Sequence, residues 1–200
     1  PIDPVRHIGN RSSGKMGYAV AEAARDRGAA VWLITAPVSL PEPVGIEITQ
    51  VQTANEMKEA VARAVAQADA LIMAAAVADY TPVRSAKTKT KKSERHLTIR
   101  LKPTPDILKW AGKHRKGKRQ IVVGFALEDR NLRVNAEKKL TDKNLDMIVA
   151  NSPEAIAADK SDVQIKTPDS SWIKIENATK AAIAKKVVHL AEKLYQAKLT

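Results

Sequence analysis

The sequence contains no cysteine among its 200 residues. Disulfide bonds, thiol nucleophiles and thiolate metal sites are therefore excluded. Aromatic residues make up only 4% of the chain, too few and too scattered to form base-stacking platforms for nucleic acid. No apolar run approaches the roughly 20 residues of a membrane-spanning helix, and no signal-peptide pattern opens the chain. We therefore expect a cytoplasmic protein that does not bind membranes.

Short apolar runs alternate with helical patterns along most of the chain. The apolar residues are mainly Ala, Val, Ile and Leu, which suit helices packed on a parallel sheet. The pattern predicts an α/β fold, a Rossmann-like three-layer parallel sheet with helices on both faces. The strand patterns are residues 30–35, 45–51, 70–76, 97–102, 120–125 and 145–150, and the helix patterns are residues 16–28, 53–67, 106 onward and 131–143.

The ends of the chain depart from this alternation. Residues 163–166 and 171–176 alternate between apolar and polar, which predicts a small hairpin or sheet, and an amphipathic helix follows over 178–196. Trp172 and Ile175 on that hairpin need cover, so we expect a homodimer that pairs there. Residues 1–200 are expected to form a single domain, and the loop-like start Pro1-Ile-Asp-Pro suggests a piece of a longer protein.

The formal net charge of +12 favours anionic partners. Nucleic acid, an anionic membrane and phosphorylated small molecules all remain open on charge alone. Residues 81–95 are basic and have too few apolar side chains to pack, so we expect a mobile flap there. Such a flap could close over phosphates, although a lysine run is more often a solvated face. Lys139 and Lys143 share a helix face, and an anion between them would relieve their repulsion.

Two further segments combine small residues with polar ones. Gly9 to Met16 fits the phosphate-loop pattern except that Met16 stands where Ser or Thr must hold magnesium. Backbone donors at a helix start still suit an anion, and the alternative is a helix capped by serine. Residues 74–80 end a buried strand with small side chains, which suits either a bound ring or close helix packing. Asp79 is a plausible magnesium or hydroxyl ligand there.

Six segments, taken in order, resemble the phosphopantothenate–cysteine ligases of the bacterial type. The resemblance covers about residues 1–195, and its first motif is long and specific. Family members normally begin with a strand and a Gly-rich loop, which are absent before Pro1, and often have a longer loop at residues 152–162. The six segments are residues 3–17, 75–80, 89–92, 105–107, 123–128 and 143–151.

The resemblance implies a reaction in coenzyme A synthesis. The ligases use CTP to join 4′-phosphopantothenate to L-cysteine through an acyl-cytidylate, releasing pyrophosphate and CMP, with Mg²⁺ as cofactor. The family is dimeric, and in bacteria the domain usually follows a flavin-dependent decarboxylase, so FMN would belong to that partner domain only.

By the same resemblance, Asn10 and Lys89 are the catalytic candidates. Asn10 would hold the acyl group, Lys89 would reach the triphosphate from the flap, Arg6 would help bind phosphopantothenate, and Asp79 could also hold the metal. The residues expected to line the CTP site are Met73, Ala74, Ala75, Asp79, Lys89, Thr104, Pro105, Asp106, Ile107, Phe125, Lys139 and Lys143.

Two other function classes remain as alternatives. A dinucleotide-dependent oxidoreductase of Rossmann type needs G-x-G-x-x-G and an acidic ribose partner, and neither is visible. A basic nucleic-acid-binding domain would agree with the charge, and the salt dependence of binding would reveal it.

Overall fold

The computed structural model describes residues 1–92, 96–117, 119–155 and 158–199. The helices are α1 (Lys15–Arg25), α2 (Ala54–Val65), α3 (Ile107–Lys113), α4 (Leu132–Asp142) and α5 (Lys180–Ala197). The strands are β1 (Trp32–Thr35), β2 (Glu47–Gln50), β3 (Ala70–Met73), β4 (Tyr80–Pro82), β5 (Leu101–Pro103), β6 (Ile121–Leu127), β7 (Met147–Asn151), β8 (Lys160–Lys166) and β9 (Ile173–Thr179).

A five-stranded sheet in the order β3-β6-β7-β8-β9 forms the centre of the fold. Strands β3, β6 and β7 are parallel, and β8 and β9 extend them as an antiparallel hairpin. The predicted hairpin is thus present, but it belongs to the central sheet instead of forming a sheet of its own. Strands β1 and β2 pair in parallel apart from it, and β4 and β5 form a short antiparallel pair.

Both faces of the central sheet are covered by helices, as the sequence predicts. Val123 and Val149 face α5 on one side, and this cluster includes Ile183 of that helix. Val122 and Ile148, one position along each strand, point to the other face and pack against α4. Because both faces are buried, β6 and β7 are almost continuously apolar, which is why they are easily found in the sequence.

The starts of α1 and α2 show one failed and one successful prediction. The serines do not cap α1; the N-cap is Gly14, whose φ of 74° is left-handed and which lacks a side-chain cap. A Cβ on Gly14 would lie 2.9 Å from Val38 Cγ1, so this position requires glycine. The capping box of α2 is confirmed, since Thr53 Oγ1 accepts the Glu56 N–H at 3.1 Å.

Two other predictions about the strands need correction. The strand predicted from residue 97 begins only at Leu101, where it pairs with Pro82. One further backbone bond continues the pairing, from the Val83 N–H to the Arg100 carbonyl at 2.9 Å, and residues 97–99 lie outside the strand. Trp172 and Ile175 are covered within the chain, by packing against the two faces of the central sheet. This partial cover weakens the reason given for pairing at the C-terminal hairpin, and the homodimer itself stays a prediction.

Candidate active site

Several predicted site residues lie where the parallel strands end. Met73 is the last residue of β3 and pairs in register with Gly124 of β6. Phe125 follows in β6, and Ala74 and Ala75 follow β3. In parallel sheets the carboxyl ends of the strands form the edge at which ligands bind. The structure therefore brings the predicted residues Met73, Ala74, Ala75 and Phe125 toward one end of the sheet, and Gly124 beside them was not among the predicted site residues.

Gly124 allows α3 to approach this end of the sheet. A Cβ on Gly124 would lie 2.6 Å from one methyl group of Leu108 and 2.9 Å from one of Leu145. Leu108 lies in the first turn of α3, so the absence of a side chain at Gly124 brings the start of that helix close to β6.

Hydrogen bonds hold three loops together beside the end of β3. The amide Nδ2 of Asn10 donates to the Val77 carbonyl at 3.1 Å. The hydroxyl of Thr104 donates to the Ala78 carbonyl at 2.6 Å, and its N–H donates to the Asp79 carbonyl at 2.8 Å. The first motif and the turn before α3 are thus both fixed to residues 77–79. The side chains of Asn10 and Asp79 remain exposed.

Asp106 connects the start of α3 with the end of α4. It is the N-cap of α3 and accepts the Lys109 N–H at 2.9 Å, while Lys143 Nζ lies 2.9 Å from its Oδ2. Burial pushes the pKa of Asp106 upward, but the Lys109 N–H and the Lys143 ammonium outweigh it, and the net pKa is lowered. The carboxylate is therefore charged at neutral pH. The neighbouring Ile107 side chain is buried against α2, so only its backbone can face a ligand.

Lys139 makes a second ion pair in the same cleft, with Glu128. Its Nζ lies 2.5 Å from Glu128 Oε1, and the side chain of Glu128 is only 10% exposed. Asn135 donates to the other carboxylate oxygen at 3.0 Å. The cleft has a volume of about 430 Å³ and is lined by Asp106, Lys109, Glu128, Asn135, Lys138, Lys139, Asp142 and Lys143. The two lysines that the sequence places on one helix face are thus brought together with acidic residues.

Glu128 and Asn135 were missed by the sequence analysis. Glu128 follows β6 directly, and an acidic side chain at the carboxyl end of a buried parallel strand is the signal that could have found it. Asn135 carries no such signal, because an Asn in the middle of a polar helix is common.

The flap residue Lys89 lies outside the cleft, in a segment that contacts the start of the chain. Its side chain is exposed, and the segment beside it is bound to the start of the chain. Arg6 donates through Nη2 to the Thr90 carbonyl at 2.9 Å, and it forms an ion pair with Asp3. Arg6 is therefore attached to the flap, and no contact joins it to the cleft among the described residues. Residues 93–95 of the predicted flap lie outside the described residues.

Comparison with known proteins identifies the family. The sequence profile described as the DNA/pantothenate metabolism flavoprotein C-terminal domain matches residues 1–195. The chain belongs to this family. The resemblance found in the sequence is thereby confirmed, and it covers the same residues.

Relatives of known name support the assignment to the flavoprotein C-terminal domain family. The coenzyme A biosynthesis bifunctional protein CoaBC of Bacillus subtilis (strain 168) is 51% identical over 158 residues, covering 78% of this chain and 38% of the relative. The CoaBC of Haemophilus influenzae is 42% identical over 96% of this chain and 47% of the relative. The chain therefore spans less than half the length of these relatives.

A solved member of the flavoprotein C-terminal domain family has the same fold. The crystal structure of the C-terminal domain of a CoaBC is 37% identical and superposes with a TM-score of 0.84, covering 98% of this chain and 90% of that chain. The α/β fold predicted from the sequence is thus confirmed in a crystal structure. In the described part of this chain, none of the helices combines the length and hydrophobicity of a membrane span.

Proposed function

We propose that this chain is the phosphopantothenate–cysteine ligase domain of a coenzyme A biosynthesis protein. A family match over residues 1–195 supports the proposal, together with a cleft of paired lysines and acids between α3, α4 and the carboxyl end of β6. In the full-length protein the domain would be joined to a flavin-dependent decarboxylase, as the family resemblance implies, and the relatives are named as bifunctional proteins. A cytoplasmic location and the absence of a nucleic-acid partner stay predictions.

The proposed reaction has two steps, because a carboxylate must be activated before an amine can attack it. First, a carboxylate oxygen of 4′-phosphopantothenate attacks the α-phosphorus of CTP, and the bond to pyrophosphate breaks. Second, the amine of L-cysteine attacks the acyl carbon, loses a proton and displaces CMP. The products are 4′-phosphopantothenoylcysteine, CMP and pyrophosphate. Charge develops on phosphoryl oxygens in the first step, so fixed cations should stabilise its transition state.

Lys139 and Lys143 are the residues we assign to the triphosphate. Each is held by a carboxylate, Glu128 or Asp106, so its ammonium is already oriented in the cleft. Preorganised cations act without reorganising when charge develops, which is what phosphoryl transfer needs. Met73, Ala74, Ala75, Phe125 and the turn at residues 104–107 would accommodate the nucleoside.

Asn10 and Lys89 are assigned to the chemical steps. Asn10 lies beside the loop that follows β3, with its amide on the Val77 carbonyl, and its second amide proton could donate to an acyl oxygen. Lys89 is an exposed cation on the flap, and it has no ion pair with any residue that the structure describes, so it could approach the triphosphate. Arg6 remains the candidate for the phosphopantothenate site, although its guanidinium is shared with Asp3 and Thr90.

Magnesium would fit this site as a partner of the nucleotide. The described residues contain no group of three or more acidic or histidine side chains that could hold a metal alone. Magnesium in nucleotide enzymes is usually held by one or two carboxylates and the phosphates, and the exposed Asp79 can supply one carboxylate. When bound, the ion would neutralise charge on the phosphates.

The homodimer remains part of the proposal, through a different surface. Tyr80 and Leu101 of the β4–β5 pair are about half exposed, and Leu97 beside them is 60% exposed. A second copy of the chain would cover these side chains and protect the short strands. Scattering mass in dilute solution should give twice the chain mass, and Leu97→Asp should shift the equilibrium toward the monomer.

Pyrophosphate release tests the function directly. With CTP, 4′-phosphopantothenate, Mg²⁺ and cysteine, we expect release that requires both CTP and phosphopantothenate and is far weaker with ATP. A matched pair of variants is Lys143→Gln and Lys113→Gln, since Lys113 ends the neighbouring α3 outside the residues lining the cleft. Only the first should raise the KM for CTP. Release without phosphopantothenate, or none with all substrates, would contradict the proposal.

A further inference from the structure

One fully buried carboxylate lies outside the cleft of ion pairs. The side chain of Asp3 has no exposed surface, although it belongs to an irregular segment at the start of the chain. Its Oδ1 accepts the N–H groups of Val5 at 2.9 Å and Arg6 at 3.0 Å. Its Oδ2 accepts Arg6 Nε at 3.0 Å, Arg6 Nη2 and the Thr90 N–H at 3.2 Å. A buried carboxylate with this many donors is fully compensated.

Asp3 and its partner Arg6 both bind the flap residue Thr90, which lies 87 and 84 residues away from them in the sequence. Thr90 is held through both backbone groups, since its N–H donates to Asp3 and its carbonyl accepts from Arg6. Two further bonds extend this contact: the Ala86 N–H donates to the Ile2 carbonyl at 2.9 Å, and Ser85 Oγ donates to the Pro1 carbonyl at 2.6 Å. We call these contacts between residues 1–6 and 85–90 the flap tether.

The flap tether ends next to the candidate catalytic lysine. Lys89 precedes Thr90, so fixing both backbone groups of Thr90 limits where the Lys89 side chain can start. Charge-assisted hydrogen bonds are about twice as strong as neutral ones, and this makes Asp3 the strongest point of the tether. The Arg6 guanidinium and the backbone N–H groups hold the pKa of Asp3 well below its usual range, so the carboxylate stays charged at neutral pH.

We propose that Asp3 is a positioning residue that holds the flap through Thr90 and so presents Lys89 to the nucleotide. The inference rests on the proposed function for the role of Lys89, but the tether itself does not depend on it. Asp3 does not touch substrate in this account and acts only through the flap. Arg6 serves the same tether, besides the substrate role proposed above.

Proteolysis without any substrate tests the tether on its own. Trypsin can cleave after Arg84, Lys87 and Lys89, which lie along the tethered segment. Asp3→Asn keeps the shape but turns an acceptor into a donor facing the Thr90 N–H, so cleavage should accelerate on the order of ten-fold. Ser85→Ala removes one neutral bond of the same tether and should give a smaller increase. Asp26→Asn is the matched control, because Asp26 forms an exposed ion pair at the far end of α1.

The melting temperature should change little in these variants, because residues 1–6 and 85–90 contribute no side chain to the apolar clusters, so losing the tether frees only these two segments. Unchanged cleavage in Asp3→Asn would overturn the tether. So would a general loss of protection across the whole chain.

A double-mutant cycle on the first half-reaction tests whether the tether acts through Lys89. Asp3→Asn should slow pyrophosphate release roughly ten-fold, and Asp3→Asn combined with Lys89→Gln should be no slower than Lys89→Gln alone. Additive losses would overturn the positioning role. Absence of pyrophosphate release in the unaltered protein would contradict the proposed function instead, and the proteolysis result would still decide the tether.

Discussion

Gly112 should be the glycine that the fold tolerates least to lose. It lies near the end of α3, and a Cβ built on it would be 1.9 Å from the Lys143 carbonyl oxygen. Real Cβ atoms are not found closer than 3.0 Å, so Gly112→Ala would need the backbone of Lys143 to retreat by about 1.1 Å. Backbone cannot rotate away as the tip of a side chain can, so the contact must be relieved by moving α3 or the end of α4.

The expected magnitude follows from overpacking. Forcing an extra methyl group into a packed contact costs about 1–3 kcal/mol, and sometimes more, while Ala gains roughly 0.5–1 kcal/mol over Gly in a helix. Because the overlap is with backbone, we place the cost at the upper end, about 3 kcal/mol, and the helix gain leaves a net loss of about 2 kcal/mol. This lowers the melting temperature by roughly 4–8 °C for a domain of this size. The displaced Lys143 should also weaken the ion pair with Asp106 and raise the KM for CTP.

Gly17→Ala supplies the matched control for this prediction. Gly17 also lies in a helix, α1, but a Cβ on it would have nothing within 4 Å. The same substitution should therefore leave the melting temperature unchanged or raise it by a few degrees. Scanning calorimetry of both variants gives the comparison. Equal melting temperatures in the two variants would refute the argument that the Lys143 backbone is what excludes a side chain at Gly112.

Four further outcomes are expected. Lys89→Gln should slow acyl-cytidylate formation on the order of 100-fold with an unchanged melting temperature, and an unchanged rate measured by rapid quench would remove Lys89 from the mechanism. Asn10→Asp should spare activation more than aminolysis, so that acyl-cytidylate accumulates even with cysteine; full turnover in mass spectrometry would make Asn10 purely structural. Asp146→Asn should cost about 3 kcal/mol in urea unfolding, because two cationic partners at 2.7 and 2.6 Å would remain beside an uncharged amide. Finally, the lowered pKa of Asp106 means that this carboxylate contributes its full stabilisation above the unfolded pKa of 3.8 and loses it as the pH falls below that value. The free energy of unfolding of wild type and of Asp106→Asn should therefore depend on pH in the same way between pH 7 and 5. A decrease in that range in wild type but not in Asp106→Asn would contradict the ion pair.

The elements that the sequence predicts well are strands buried on both faces of the sheet and helices that begin at a capping side chain. Strands β6 and β7 are nearly continuous apolar runs, and Asp106 and Thr53 cap helices as their side chains suggest. These signals are local, so no knowledge of the tertiary structure is needed to read them. The order of strands and helices, and with it the α/β class, followed from the same signals.

The predictions that failed concern features decided by distant residues. Ser12 and Ser13 are good caps locally, but Val38 packs against Gly14, and this glycine takes the N-cap position. Trp172 looks exposed in an alternating strand, yet its indole N–H donates to Glu137 at 2.9 Å and Arg133 lies over its ring. The two partners of Trp172 cannot be deduced from the sequence around it, because Glu137 and Arg133 both lie in α4.

The candidate site also contains residues that could be predicted from the sequence and contacts that could not. Met73 at the end of β3 and Phe125 near the end of β6 could be placed from topology, since parallel strands end at a common edge. The family resemblance supplied the roles of Asn10 and Lys89. What neither source contained is the pairing of charges: the contact of Glu128 with Lys139, and the bonds from Asp3 to the flap, join residues far apart in the chain.

The acyl-cytidylate is the species that tests the proposed function most directly. The chain should be mixed with CTP, Mg²⁺ and 4′-phosphopantothenate without cysteine, quenched early and analysed by mass spectrometry. We expect the acyl-cytidylate in an amount up to that of the enzyme, with an equal amount of pyrophosphate, and its conversion to 4′-phosphopantothenoylcysteine and CMP when cysteine is added. Product that forms with cysteine while no cytidylate is ever detected, or a phosphorylated intermediate with release of CDP, would contradict the account.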